Sequence, residues 1–356
     1  MLNLYKYAGA TAKIKGMNGK LLDKTDYEHL RSLKSVPDIL EYLKTKETYK
    51  RLLSDLAPHE YHRGQIEKRI SLSAYNDFVE IFKFVNGGTR SFFNIYFIYL
   101  EIKVLKNIIR CIFDTGDVIP DLMVYHDFFK THSSLDIEQL SKSKTLDELV
   151  SKLKDTPYYK VLSTVDLNEK SLFELEMKLD IYYYNEVCRI IDKKIDKSEK
   201  TIVSEVFKSE IDLVNLMWIY RFKKFYNTDK NFIYSYLAPE GLHLKKDKIV
   251  RLVETNSVEE FLELAMKITP YKGLFDDLGK DTLEKNFYEE LTRINNKLVK
   301  KYPFSIAELL WHMNMRNIEI LNVTTIIEGI RYNLSPSQID ALLLVPNMNG
   351  GVKIDS

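Results

Sequence analysis

The sequence predicts an all-α chain built from three homologous helical units, and three observations predict it. Glycine and proline are scarce, 13 and 9 in 356 residues, so breaks are few and elements long. A short capped-helix pattern occurs three times at nearly constant spacing. Each occurrence is followed by an apolar stripe with steps of three and four residues, the signature of an amphipathic helix.

The first pattern starts at Leu30 and reads Ser35-Val36-x-Asp38-Ile39-Leu40, then Leu43, Thr48-Tyr49 and Leu52. It returns from Leu140 as Thr145-Leu146-x-Glu148-Leu149-Val150, with Leu153, Tyr158-Tyr159 and Leu162. It returns again from Leu252 as Ser257-Val258-x-Glu260-Phe261-Leu262, with Ala265, Pro270-Tyr271 and Leu274. The starts are 110 and 112 residues apart. In each copy a Ser or Thr precedes an acid by three residues and then an apolar run, the capping-box arrangement that satisfies free backbone donors at a helix start. Each short helix is expected to bury one face, in the third copy Phe261, Ala265 and Ile268, and to stop at the tyrosine turn. The middle copy admits a slip of one residue, because Thr156-Pro157-Tyr158 resembles Thr269-Pro270-Tyr271.

The long stripes occupy 93, 97, 100, 104 and 108; then 172, 175, 179, 183, 187 and 190; then 283, 287, 291, 294 and 298. A second motif closes each region: Glu101-x-x-Val104-Leu105-x-x-Ile108-Ile109-Arg110, Asp212-x-x-Asn215-Leu216-x-x-Ile219-Tyr220-Arg221, and Glu319-x-x-Asn322-Val323-x-x-Ile326-Ile327-Glu328. Its spacings are 111 and 107 residues. Two motifs with one period imply units at 1–118, 119–228 and 229–356, with borders where turn formers gather near 116–120 and 227–241. Three like units pack around a pseudo-threefold axis or in a curved row. Either arrangement brings the acids and amides Glu101, Asp212, Asn215, Glu319 and Asn322 toward one centre as a polar belt. Alternatively they are surface residues joined by local helix pairs.

Charge and motif content exclude several function classes. Lys plus Arg number 52 and Asp plus Glu 51, so no strong field favours nucleic acid, and the paired lysines at 193–194, 223–224, 245–246 and 300–301 read as solvated helix faces. Cys111 and Cys188 sit in apolar stretches and read as buried thiols. The most apolar stretch, 92–113, is broken by Glu101, Lys103, Lys106 and Arg110, so a buried helix is expected in place of a membrane span. The N-terminus shows no secretory signal, and the expected compartment is the cytoplasm. Gly87-Gly88 lacks the spacing of a phosphate loop. His59-Glu60-Tyr61-His62 separates its histidines by three residues where a metalloprotease helix needs four. No catalytic residue, cofactor or metal site is expected. A metal-using enzyme at His59/His62 and a free-standing helical scaffold are the competing readings. Tyr182-Tyr183-Tyr184 is expected to pack between neighbouring helices.

The triple register resembles the C subunit family of V-type rotary ATPases, whose eukaryotic relative is the d (AC39-like) subunit. The most similar piece is Asn322-Val323-x-x-Ile326-Ile327-x-Gly329-Ile330 followed by Leu334-Ser335-Pro336-x-x-Ile339. Val104 in place of Asn and Glu328 in place of Arg depart from the pattern. The resemblance implies a funnel-shaped, non-catalytic central-stalk subunit on the cytoplasmic face of the proteolipid rotor ring (c/K). Its socket would receive the D and F shaft subunits, with the catalytic head reached indirectly. Glu101, Asp212, Asn215, Glu319 and Asn322, with Arg110 and Arg221, would then line or support that socket. Reversing the charges of Asp212 and Glu319 would be expected to weaken shaft binding without changing helix content.

Overall fold

In a computed structural model of the chain, every regular element among the described residues is helical. The structure describes residues 2–54, 56, 63–85, 88–114, 122, 125–164, 171–226, 229–278 and 282–344. The chain divides into two compact bodies, Met1–Val85 with Tyr271–Ser356, and Asn86–Pro270.

The first body carries helices Leu2–Asn18, Lys24–Ser32, Val36–Thr45, Glu47–Leu53 and Arg63–Phe82 from the N-terminal segment. The C-terminal segment adds the 3-10 turn Lys272–Phe275 and helices Thr282–Lys301, Ile306–Arg331 and Pro336–Leu342. Ile306–Arg331 has no exposed residue before Arg331, and its polar side chains Glu308, His312, Arg316, Glu319 and Asn322 are buried with its apolar ones. Its Val323, Ile326 and Ile327 share one core with Leu30, Ile39, Leu43, Tyr49, Ile66 and Ile339. Gly329 makes that packing possible: a Cβ there would lie 2.6 Å from Ile339 Cγ1. Pro336–Leu342 is placed by a capping box, Ser335 with Gln338, and by a proline in its first turn.

The second body carries Gly88–Asp114, His126–His132, Ile137–Ser141, Leu146–Lys152 and Pro157–Leu162, then Leu172–Lys193 and Lys197–Arg221. The last of these runs into a π turn at Phe222–Tyr226, and Lys230–Ser235, Lys246–Glu254 and Val258–Ile268 follow. Gly88–Asp114 packs along Leu172–Lys193, which pairs in turn with Lys197–Arg221. The first contact carries the charge pairs Lys106–Asp180 at 2.6 Å and Arg110–Glu176 at 2.5 Å. No helix among the described residues is long and apolar enough to cross a membrane.

The three predicted caps form: Ser35, Thr145 and Ser257 accept from the backbone N–H of Asp38, Glu148 and Glu260 at 3.3, 3.2 and 3.1 Å. Phe261 and Ala265 are buried as expected, while Ile268 is half-buried. The slip in the middle copy is resolved in favour of Tyr158, which is buried where Tyr159 is half-buried. Tyr183 and Tyr184 are buried and Tyr182 half-buried. Cys111 and Cys188 are half-buried, which corrects the expectation of fully buried thiols. The first apolar stripe, 93–108, lies on the helix that also carries Glu101, whereas the second and third stripes occupy separate helices preceding their motif helices. His59, His62, Gly87, residues 116–120 and Asn227 lie outside the described residues.

Candidate functional site

The acid of each second motif receives hydrogen bonds from a segment beside a capped-helix pattern, and the three pairings follow one rule. Glu319 receives the N-terminal pattern, Glu101 the middle one, and Asp212 the segment leading into the last.

Glu319 is 1% exposed on Ile306–Arg331. Its carboxylate accepts from Leu22 N at 2.5 Å, from Tyr49 Oη at 2.6 Å and from Arg316 Nη1. Arg316, also 1% exposed, donates through Nε to Asp77 Oδ2 at 2.6 Å. His312 Nε2 meets the same oxygen at 2.9 Å, and its Nδ1 lies 2.5 Å from Asn18 Oδ1. A buried charge is tolerable only when paired and hydrogen-bonded, and each member of this chain supplies the next. Burial pushes the Asp77 carboxyl up, but the His312 bond and the Arg316 charge outweigh it and hold it below the ordinary value. For Arg316, burial works against the cation, yet Glu319 and Asp77 raise its pKa further. Burial followed by the Glu319 charge drives the Tyr49 phenol well up, so it stays a donor. Three residues on, Asn322 accepts from Leu344 N at 2.8 Å and donates to Leu344 O at 3.0 Å.

Asp212 sits on Lys197–Arg221 with no exposed surface and accepts from the backbone N–H of His243 and Leu244 at 2.7 and 3.0 Å. Asn215, equally buried, accepts from Ala238 N at 2.9 Å and donates to the carbonyls of Ala238 and Pro239. The two side chains thus hold the non-helical segment 238–244 against the helix. Gly241 is obligatory there, because a Cβ would collide with the Asp212 carboxylate and approach Lys208 O to 2.5 Å.

Glu101 on Gly88–Asp114 is half-buried and accepts from Ser133 Oγ and, at 2.5 Å, from Tyr158 Oη. It borders an open cleft of about 450 Å³ that also takes in His132, Tyr182, Glu186 and Arg189. Burial outweighs these two hydroxyl bonds and raises its pKa. Val104, where the other motifs place Asn, has no polar group with which to hold a backbone segment.

Of the seven residues singled out from the sequence, Asp212, Asn215, Glu319 and Asn322 are buried and bonded to this chain's own backbone or side chains. Arg110 is exposed and pairs with Glu176 across two helices. Arg221 is half-buried, and that burial lowers its pKa. Reversing Asp212 and Glu319 would bury unpaired cations among groups arranged for anions, so the expectation that helix content survives the double reversal is corrected. The His312–Asp77–Arg316 chain went unread in the sequence. Its signal was present, since His312, Arg316 and Glu319 are spaced four and three apart on one side of a helix rich in Leu, Ile and Met, where charges must find partners.

A model of the family described as ATP synthase (C/AC39) subunit matches residues 10–342, a span holding all seven residues. The chain is 25% identical to the C subunit of the A-type ATP synthase of Methanosarcina acetivorans over 354 residues, covering 95% of this chain and 93% of that one. It is 24% identical to the protein of the same name in Methanosarcina mazei, with the same coverage. The corresponding protein of Desulfurococcus sp. is 22% identical over 348 residues, 94% of this chain and 90% of that one.

Proposed function

The chain belongs to the ATP synthase (C/AC39) subunit family, and from that premise we propose that it is a non-catalytic central-stalk rotor subunit. It couples the D and F shaft subunits to the proteolipid ring, on the inner face of the membrane, and reaches the catalytic head only through the shaft. The reading extends to three homologous units, 1–118, 119–228 and 229–356. What supports it is the repeated anchoring to a motif acid of a segment in or leading into a capped-helix pattern: Tyr49 at Glu319, Tyr158 at Glu101 and residues 243–244 at Asp212.

The same anchoring supports a mechanical role. A part that transmits torque must resist shear between its helices, and close-packed cores have low compressibility. Buried polar clamps add a directional constraint, since each has one geometry that satisfies its donors and acceptors. Asp212, Asn215, Glu319 and Asn322 accordingly support the socket by holding its segments, and Arg110 stiffens a helix pair through Glu176. The near balance of 52 basic and 51 acidic residues suits protein partners met through local charge complementarity.

The test is to tag the chain in its native host, solubilise membranes gently and identify what co-purifies in stoichiometric amounts. Recovery of shaft, ring and ATP-hydrolysing head subunits is the expected result. Recovery of the chain alone from the soluble fraction, with rotary complexes intact without it, would overturn the reading in favour of a free-standing scaffold.

A further inference from the structure

Three long helices of the second body meet around one carboxyl group that the anchoring scheme does not use. Glu210 lies on Lys197–Arg221, two residues before Asp212 and on a different side of the helix. Its Oε1 accepts from Tyr184 Oη at 3.3 Å, and no cation stands beside it among the described residues. Tyr183 and Tyr184 face it from Leu172–Lys193, and Tyr96 from Gly88–Asp114. Tyr99 completes the cluster, its ring 5.9 Å from that of Tyr183. The remaining walls are aromatic: Phe207 meets Phe92 and Tyr96, and Trp218 meets Tyr184. Along the same helix pair Asp180, whose carboxyl burial also raises, is bonded to Lys106. Burial keeps Tyr96, Tyr183 and Tyr184 protonated, so the acid they enclose is Glu210.

We propose that Glu210 is a proton-operated latch joining Gly88–Asp114, Leu172–Lys193 and Lys197–Arg221: protonated, it sits neutral within the tyrosine cluster and the junction is closed, whereas ionised, it favours water entry and helix separation. The residue is of intermediate exposure, which leaves a route for the proton. Burial raises the carboxyl to about 7, while the Tyr184 bond pulls the other way. A carboxyl raised in the closed state binds its proton more tightly there than when open. Closure is therefore strongest below the ordinary carboxylate range and weakens as pH rises toward the closed-state value, levelling off above it. The proposal concerns the isolated chain and is independent of the assembly reading.

The test is amide hydrogen exchange of the full chain between pH 5 and 8, corrected for intrinsic exchange rates, comparing wild type with Glu210→Gln. In wild type the opening constant of the three helices should rise by up to about tenfold per pH unit below pH 7 and then level off, relative to the variant. Infrared difference spectra should show a protonated carboxyl band that titrates near neutrality in wild type and is missing from the variant. Tyr184→Phe removes the one bond favouring the carboxylate, so its midpoint should move up, and this keeps the proposal testable if Glu210→Gln fails to fold. Parallel pH dependence in wild type and Glu210→Gln, a carboxyl band titrating in the ordinary range, or a midpoint unmoved or lowered by Tyr184→Phe would each overturn the latch.

Discussion

Glu319 and Glu101 occupy the same motif position in helices of different bodies, yet their surroundings assign them different electrostatic states. Glu319 is enclosed and compensated: Arg316, a backbone N–H and a tyrosine hydroxyl converge on it. Glu101 borders a cleft and, among the described residues, has Ser133 and Tyr158 for donors. One motif therefore makes a charged clamp in the first body and a hydroxyl-bonded one in the second. The difference arises outside the motif, at Arg316 and Asp77, whose motif-register counterparts no repeat pattern specifies.

The comparison breaks most visibly at Arg316. Arg316→Met leaves Glu319 and Asp77 as buried charges without their common partner, and should cost about 3–5 kcal/mol in urea unfolding of the first body. Next is Gly241→Ala, which drives a methyl into Asp212 and the Lys208 carbonyl and should cost about 2–3 kcal/mol, read from the transition of the second body. Asn322→Ala and Asn215→Ala each orphan a buried backbone N–H, at Leu344 and Ala238, for about 1–3 kcal/mol apiece. Equal losses would show that the amide clamp works alike in both bodies despite the different acids. The smallest effect is expected at Glu101→Gln, under about 1 kcal/mol at neutral pH, because a neutral amide keeps an acceptor for a hydroxyl.

Acid titration sharpens the contrast through its sign. The Asp77 carboxyl is held below its ordinary value, so its stabilisation is present above that value and is lost as pH falls through the folded-state one. The Glu101 carboxyl is raised, so its contribution is full below the ordinary value and is lost as pH rises through the folded-state one. Exchange protection of Ile306–Arg331 should thus drop on acidification in wild type, with Asp77→Asn flattening that dependence. Protection around Glu101 should move the opposite way and be flattened by Glu101→Gln.

The all-α class and the caps at Ser35, Thr145 and Ser257 were legible because they depend on residues three apart. So were the motif acids, because their period is visible in the chain. Which atoms those acids meet was not legible: Leu22 is 297 residues from Glu319 and Tyr49 is 270, and no local pattern encodes a contact of that separation. Burial of Asp212 and Asn215 was misjudged for a related reason. On a helix the side chain shows only its spacing, and the segment 238–244 that covers it has no periodicity to betray where it runs. Gly241 and Gly329 were read as turn and motif residues, whereas the close approaches of Asp212 and Ile339 explain them.

Under the proposed function, the chain couples rotation to ion movement without taking part in catalysis. The most direct measurement is to delete it in the native host and follow ATP hydrolysis and ion transport in the same membrane vesicles. The expected result is that head-bound hydrolysis persists while ATP-driven transport is lost, and that transport returns when the chain is restored. Transport that continues undiminished without the chain would contradict it.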